Sequence, residues 1–465
     1  MSTRRSSLLV LFAIFLIYLG IGNAFGQPSK PSNKDLRRSR DLIAQGNKAF
    51  NSRDYRTAAE KYAEAIVIVP NNPTAHFWKG NAHAQLKEFD LAIKELNLAL
   101  EQGHPQLDVA KIRWYVYYEL NDYASALSDI NKVLPTDQNN ILLLKAAGDS
   151  YYNLKQYRDA LSAYQRALVV SPNDGALYYG IAKVQNALGD WNGQEKAAEE
   201  AIKRPGPYLN DAYYLLADAR YRKRNYNGAE AAYRQALLAR PDDITIYRAL
   251  GDIYRAQSRF SDAINIIKEA LRKWPSDGGL YTDISWYYSL SGRNKEAIEA
   301  AESATRLLPD QYLGYTNLCR AFNDNNQPDR AIVACNNALR LNPNDGETNF
   351  YLGRAYSMLG RNQEATRAFD RAVVGLEAFV KANPDYSDGY YLLGNAYYAD
   401  NQLDKALEAY QKCLSLSPRF GRAIYNSGVI YIRQRNKQAA TAQYNKLREI
   451  DPELAEKLKA EIDKQ

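Results

Sequence analysis

The sequence predicts an all-α protein, a solenoid of about twelve antiparallel helix-turn-helix units followed by one further helix. Three observations predict it. Alanines recur every 34 residues, as Ala58, Ala92, Ala126 and Ala160, then Ala229, Ala263, Ala297, Ala331 and Ala365, then Ala406 and Ala440. Within each period apolar residues fall at helical spacing, for example Tyr247, Leu250 and Tyr254, then Ala263, Ile266, Ile267, Ala270 and Leu271. Most periods close on a proline, such as Pro70, Pro172, Pro241, Pro275, Pro309, Pro343, Pro418 and Pro452, which stops the second helix of each unit.

Residues 1–26 come first and differ from the rest. Arg4 and Arg5 precede an apolar run from Leu8 to Gly22, and Ala24 and Gly26 are spaced for cleavage before Gln27. This is the layout of a secretory signal peptide, so export is expected, with a bacterial periplasm as the compartment that fits best. The alternative is an uncleaved anchor through residues 8–26, uncharged and long enough to span a bilayer, with the array facing the periplasm. Residues 27–38 read as a basic linker able to make a peripheral contact with anionic lipid.

The repeats run from 39 to 452. Glycines stand twelve residues before the alanines at Gly46, Gly80, Gly148, Gly251, Gly353, Gly394 and Gly428. An aromatic stands nine before at Tyr151, Tyr254, Tyr288, Phe322, Tyr356, Tyr397 and Tyr431, and another four after at Tyr62, Tyr164, Tyr233, Phe369, Tyr410 and Tyr444. Small residues let the two helices of a unit approach, and the aromatics fill the space beside them. One hairpin cannot bury both its faces, so neighbours must stack.

Column by column the pattern resembles the tetratricopeptide repeat. The resemblance implies a right-handed superhelix whose first helices line a concave groove for an extended peptide or a partner's helix. Three units depart from the pattern. In the third, Trp114 takes the glycine position and Pro135 arrives early; in the fifth, Ala182 and Gln194 replace glycine and alanine, and residues 203–207 (KRPGP) make a looser joint where an altered crossing angle is expected. The tenth carries a two-turn insertion near 373–384, and 453–465 read as a capping helix.

Charge removes one class of function. Of the net +7, Arg4 and Arg5 supply two, and Lys30, Lys34, Arg37, Arg38 and Arg40 against Asp35 supply four, which leaves +1 for the repeats. A nucleic-acid binder needs a basic stripe along the array, so no nucleic-acid partner is expected. Nor is an enzyme. His76 and His83 occupy aromatic packing columns about 10 Å apart along one helix, too far to share a metal ion. Cys319, Cys335 and Cys413 fall in small-residue columns, where packing is the preferred reading; export leaves a Cys319–Cys335 disulfide as the alternative. No phosphate loop, metal-ligand spacing or nucleophile elbow occurs, so no catalytic residue, metal or cofactor is expected.

What remains is a surface. On the first helices, the positions that packing does not claim hold Phe77, Tyr115, Tyr118, Tyr152, Tyr179, Tyr214, Tyr221, Trp286, Tyr391, Tyr398 and Tyr425. Asp252, Arg255, Arg320, Arg354, Asn395 and Asn426 are interleaved with them. Tyrosine offers a rigid apolar face and a hydroxyl, which suits partner binding. Family members that clamp a C-terminal carboxylate need a Lys where Tyr391 stands and basic groups where Glu456 and Ala460 stand, so that specificity is not expected. The leading expectation is a non-catalytic scaffold or adaptor that binds other envelope proteins or peptides along this groove. The alternative is a periplasmic scaffold for polysaccharide synthesis or export, in which the aromatics stack on sugar rings.

Overall fold

The computed structural model describes residues 30–204 and 206–464. The leader or anchor of residues 1–26 lies outside the described residues. All the described secondary structure is helical, and it divides into two compact bodies at Asp190 and Trp191, in the turn of the fifth repeat.

The N-terminal body holds α1 (Asn33–Asn51), α2 (Tyr55–Ile68), α3 (Pro73–Gln85), α4 (Phe89–Glu101), α5 (Gln106–Glu119), α6 (Tyr123–Val133), α7 (Ile141–Asn153), α8 (Tyr157–Val170) and α9 (Gly175–Leu188). The C-terminal body holds α10 (Trp191–Ile202), α11 (Leu209–Arg222), α12 (Tyr226–Ala239), α13 (Ile244–Ala256), α14 (Phe260–Lys273), α15 (Gly278–Leu290) and α16 (Asn294–Leu307). It continues with α17 (Tyr312–Asp324), α18 (Pro328–Leu341), α19 (Gly346–Met358), α20 (Asn362–Ala382), α21 (Ser387–Ala399), α22 (Leu403–Leu416), α23 (Gly421–Arg433), α24 (Lys437–Arg448) and α25 (Pro452–Ile462). Within each body every helix packs on its chain neighbours, and first helices of successive repeats also touch, as α13 does α15 and α15 does α17. No helix among the described residues is long and apolar enough to cross a membrane.

The repeated residues have recurring contacts. A Cβ on Gly46, Gly148 or Gly394 would lie 2.5, 2.6 or 2.4 Å from Cε1 of Tyr62, Tyr164 or Tyr410, so glycine is what lets each second-helix ring enter the hairpin. The ring hydroxyls then donate across the hairpin to Asn47, Asp149 and Asn395 at 2.7, 2.6 and 2.7 Å. Each hairpin turn has one residue with positive φ; besides Gly189, Gly292 and Gly360, most are larger residues, such as Arg53, Lys87 and Lys155. Side-chain caps from Asn72, Asp174, Asp243, Asp277 and Asp345 start first helices.

Three details differ from the sequence reading. α1 begins at Asn33, inside the expected linker, because Ser32 and Asp35 form a reciprocal capping box. Gln194, in an alanine column, is fully buried and donates to the Leu215 carbonyl at 2.9 Å. A disulfide joins Cys319 on α17 to Cys335 on α18, correcting the preference for plain packing. The paired columns bring their Cα atoms to 5.2 Å, within disulfide reach.

Candidate groove in the C-terminal body

Trp286, Arg320 and Arg354 each stand eleven residues before a ruler alanine, so they occupy one position on three successive first helices, α15, α17 and α19. Stacking the repeats stacks these side chains. Tyr386, Arg255, Trp286, Arg320, Tyr351 and Arg354 form one alternating series of ring and guanidinium. Arg255 lies 5.9 Å from the Tyr386 centroid and 4.7 Å from that of Trp286. Arg320 lies 5.8 Å from Trp286 and 5.1 Å from Tyr351, and Arg354 lies 5.7 Å from Tyr351.

A ring engages the face of a guanidinium and leaves its in-plane N–H groups for acceptors. Arg255 Nη1 reaches Asp388 Oδ2 at 2.6 Å, Arg320 pairs with Glu347, and Arg354 Nη1 reaches Asp324 Oδ1 at 3.1 Å. Burial opposes the charge on Arg255, yet the carboxylates of Asp388 and Asp252 hold its pKa well above the ordinary value. Arg320 is 7% exposed, and its Nε and Nη1 have no hydrogen-bond partner among the described residues; nor has the buried Ser289 Oγ nearby.

A cavity of about 890 Å³ opens beside this series, within the size range of ligand sites. Trp286, Arg320, Arg354, Tyr391, Asn395 and Asn426 all line it, so six of the sequence candidates converge there. A second cavity of about 980 Å³ takes in Tyr221 and Arg255. Tyr386, Asp388, Phe420 and Arg422 line both. They belong to a bridge in which Arg255 on α13 holds Asp388 on α21, and Arg422 Nη2 on α23 donates to the Leu290 carbonyl of α15 at 2.7 Å.

The other candidates line neither cavity. Phe77 is corrected from groove to core: it is 8% exposed and stacks on His104 at 4.2 Å, because its face of α3 is covered by the next hairpin. Tyr425 packs on the cluster that anchors α25, and Arg433 covers Tyr398 at 5.0 Å. Tyr214 sits edge-on to Tyr233, and Asp252 accepts from Arg255 and Tyr287, both at 3.4 Å. In the N-terminal body Tyr118 donates to Asp149 at 2.9 Å, Lys183 lies over Tyr152 and Tyr179 at 4.9 and 5.1 Å, and Tyr115 sits edge-on to Phe89.

Sequence reasoning missed Glu347, Tyr351, Tyr386, Asp388, Phe420 and Arg422. Glu347 and Asp388 stand in the first turns of α19 and α21, where an acidic residue reads simply as a partner for the helix dipole.

Models of the tetratricopeptide repeat match residues 43–107, 145–210, 214–278, 248–312, 334–367, 387–420 and 421–454. The chain is a tetratricopeptide repeat protein. Proteins of this kind are generally protein-interaction scaffolds. This tetratricopeptide repeat protein is 38% identical over 80 residues to Small glutamine-rich tetratricopeptide repeat-containing protein 2 of Saccharomyces cerevisiae, covering 16% of this chain and 23% of that one. It is 40% identical over 73 residues to the HSP-interacting protein of Zea mays, covering 14% and 10%. The chain thus spans less than a quarter of the length of these curated relatives. Among solved structures it is similar to yeast Tom70, at 15% identity and a TM-score of 0.40, over 91% of this chain and 94% of that one.

Proposed function

We propose that this tetratricopeptide repeat protein is an exported, non-catalytic scaffold of the cell envelope that holds protein partners on the concave side of its first helices. The observation that carries the reading is the cavity beside α15, α17 and α19, where six groove candidates converge around the buried Arg320, two of whose nitrogens have no hydrogen-bond partner among the described residues. Arginine and aromatic side chains in partly desolvated pockets are what dominates protein interfaces. Protein is favoured over sugar because Trp286 and Tyr351, the rings a saccharide would stack on, are already engaged by guanidiniums. A protein partner also agrees with the name of the maize relative.

Two observations support export: the leader-like residues 1–26 and the Cys319–Cys335 disulfide, a bond that persists in oxidising compartments. The test is affinity capture from an envelope fraction with the wild-type chain, and in parallel with a Trp286→Ala, Tyr391→Ala variant of unchanged helicity. The reading expects a stoichiometric protein retained by the wild type and lost from the variant, together with a mature N-terminus at Gln27. Retention of polysaccharide alone, or recovery of the chain only from the cytosol, overturns it.

A further inference from the structure

We infer that the outer face of α1 is a docking surface for a membrane containing anionic phospholipid. This adds a second surface to the scaffold reading and does not depend on what the groove holds. α1 turns Ser39, Leu42, Ile43 and Gly46 inward. On the opposite side Lys34, Arg37, Asp41, Ala44 and Lys48 follow one another at helical spacing, all exposed, and the exposed Arg38 and Arg40 flank them. From Lys34 to Lys48 the stripe is about 21 Å long. The capping box of Ser32 and Asp35 holds the first turn helical, so these charges stand on a fixed platform. Asp41 and Lys48 precede Ala75 and Ala82 by one period, and both alanines are fully buried against the first hairpin. The stripe therefore occupies the side of α1 that, in the next repeat, packs on the hairpin before it.

An open end of an array needs polar cover, but not cover of one sign. At the other end, on α25, Lys457 pairs with Glu453 and Lys464 with Glu461, and Glu456 outnumbers nothing but Lys459. On α1 none of the five cations has an ion-pair partner among the described residues; the first cation along the chain that has one is Arg56, on Glu88. Asp35, engaged in the capping box, and Asp41 oppose the five, which leaves α1 a surplus of three positive charges. The turn and α2 behind it are balanced, Arg53, Arg56 and Lys61 against Asp54, Glu60 and Glu64. Two further observations select a lipid surface as the occupant. The cations line neither cavity of the molecule, so they suit a plane of charge better than a ligand that must be enclosed. Residues 8–26 are uncharged and long enough to span a bilayer, and residues 27–32 can separate α1 from them by at most about 25 Å. Where residues 8–26 enter a membrane, α1 is the helix next to its headgroups.

The test is co-sedimentation of the chain from Gln27, which contains every described residue, with vesicles of phosphatidylcholine alone or of phosphatidylcholine mixed with phosphatidylglycerol. Binding is expected to the mixed vesicles only and to weaken strongly in about 0.5 M salt. Each basic residue near an anionic surface is worth about fivefold in binding, so a combined Lys34→Gln, Arg37→Gln, Arg38→Gln, Lys48→Gln variant should bind at least about tenfold more weakly, with circular dichroism confirming unchanged helicity. A Lys457→Gln, Lys459→Gln, Lys464→Gln variant, which lowers the net charge at the other end of the array, should bind as the wild type does. No binding, equal binding to neutral vesicles, or an equal loss in the two variants overturns the inference. So does binding to a soluble anionic polymer such as dextran sulfate without pelleting on the vesicles. The Trp286→Ala, Tyr391→Ala variant should bind vesicles normally, so failure of the scaffold reading and failure of this one are read separately.

Discussion

Arg255 and Asp388 are 133 residues apart in sequence and form a 2.6 Å ion pair. Their side chains are 8% and 14% exposed, so the pair is largely withdrawn from water. It ties the seventh repeat to the eleventh, and the Arg422 to Leu290 hydrogen bond ties the twelfth to the eighth in the same way. The concave side of this body is therefore crossed by a bridge with a cavity on either side of it.

Breaking the bridge should both destabilise and open the C-terminal body. Asp388→Ala leaves Arg255 buried without its partner, an expected cost of about 3–5 kcal/mol. Arg255→Met combined with Asp388→Leu should cost much less, since no unpaired charge remains. Urea denaturation reads the stabilities, and small-angle scattering should show a larger radius for Asp388→Ala alone. Equal stability of the single and double variants would show that the pair contributes nothing.

The glycine column gives a sterically defined contrast. In Gly394→Ala the new Cβ meets the Tyr410 ring, which is buried and held by its hydroxyl on Asn395, so neither group can move aside. The expected loss is about 1–3 kcal/mol. At Gly314 the nearest atom to a Cβ is 3.4 Å away, and Ala there should stabilise α17 by up to about 1 kcal/mol. Thermal melts of the two variants should shift in opposite directions.

His76 makes the N-terminal body sensitive to alkaline pH. Its Nδ1 is 2.6 Å from Glu95 and its Nε2 is 3.0 Å from the Pro70 carbonyl, so both ring nitrogens face acceptors and the protonated ring fits best. The Glu95 hydrogen bond raises the His76 pKa, against burial and the nearby Lys79 charge. Burial pushes Glu95 up, but hydrogen bonds from His76 and Lys79 more than offset it and bring it to about 2. The His76 contribution is thus complete below its ordinary pKa of 6.5 and lost as pH rises through the elevated folded value. The Glu95 contribution is present above its ordinary 4.5 and lost only as pH falls through about 2. The urea midpoint of this body should fall as pH rises above the ordinary histidine value of 6.5, and His76→Phe should flatten that slope.

Thiol counting checks the disulfide. The unreduced chain in denaturant should show one reactive thiol, Cys413, and the reduced chain three. In the native state Cys413 should be inert, since burial pushes its thiol pKa well up. The bond closes a 16-residue separation, so reduction should cost about 3 kcal/mol in the C-terminal body and leave the N-terminal body unchanged.

The hairpins were legible in the sequence because each one depends on contacts less than a repeat apart. Gly148 and Tyr164, or Gly394 and Tyr410, declare their contact by spacing alone. Part of the cavity was legible for the same reason: Trp286, Arg320 and Arg354 share one column, and identical positions on stacked helices become neighbours. Asp388 and Arg422 were not legible. Their partners lie four repeats away, and that meeting depends on how far the array has curved, which a period of 34 residues does not encode. Phe77 misled because the next hairpin covers it, whereas Tyr391, at the same position of the eleventh repeat, lines the cavity, and a column alone does not say which of its members stay open.

Solenoids commonly change length by gaining or losing whole repeats, since each repeat needs only its neighbours. The two-turn extension of α20 sits inside the span that Arg255 and Asp388 close, and its Gly375 packs so tightly on Gly346 that a Cβ there would lie 2.8 Å from the Gly346 Cα. Phe379, near the end of that extension, meets Tyr386 at 5.7 Å, just before Asp388. Adding or deleting a repeat between the seventh and the eleventh would carry Asp388 away from Arg255. A change in repeat number within this stretch would therefore cost the protein its bridge, whereas a change outside it would leave the bridge in place.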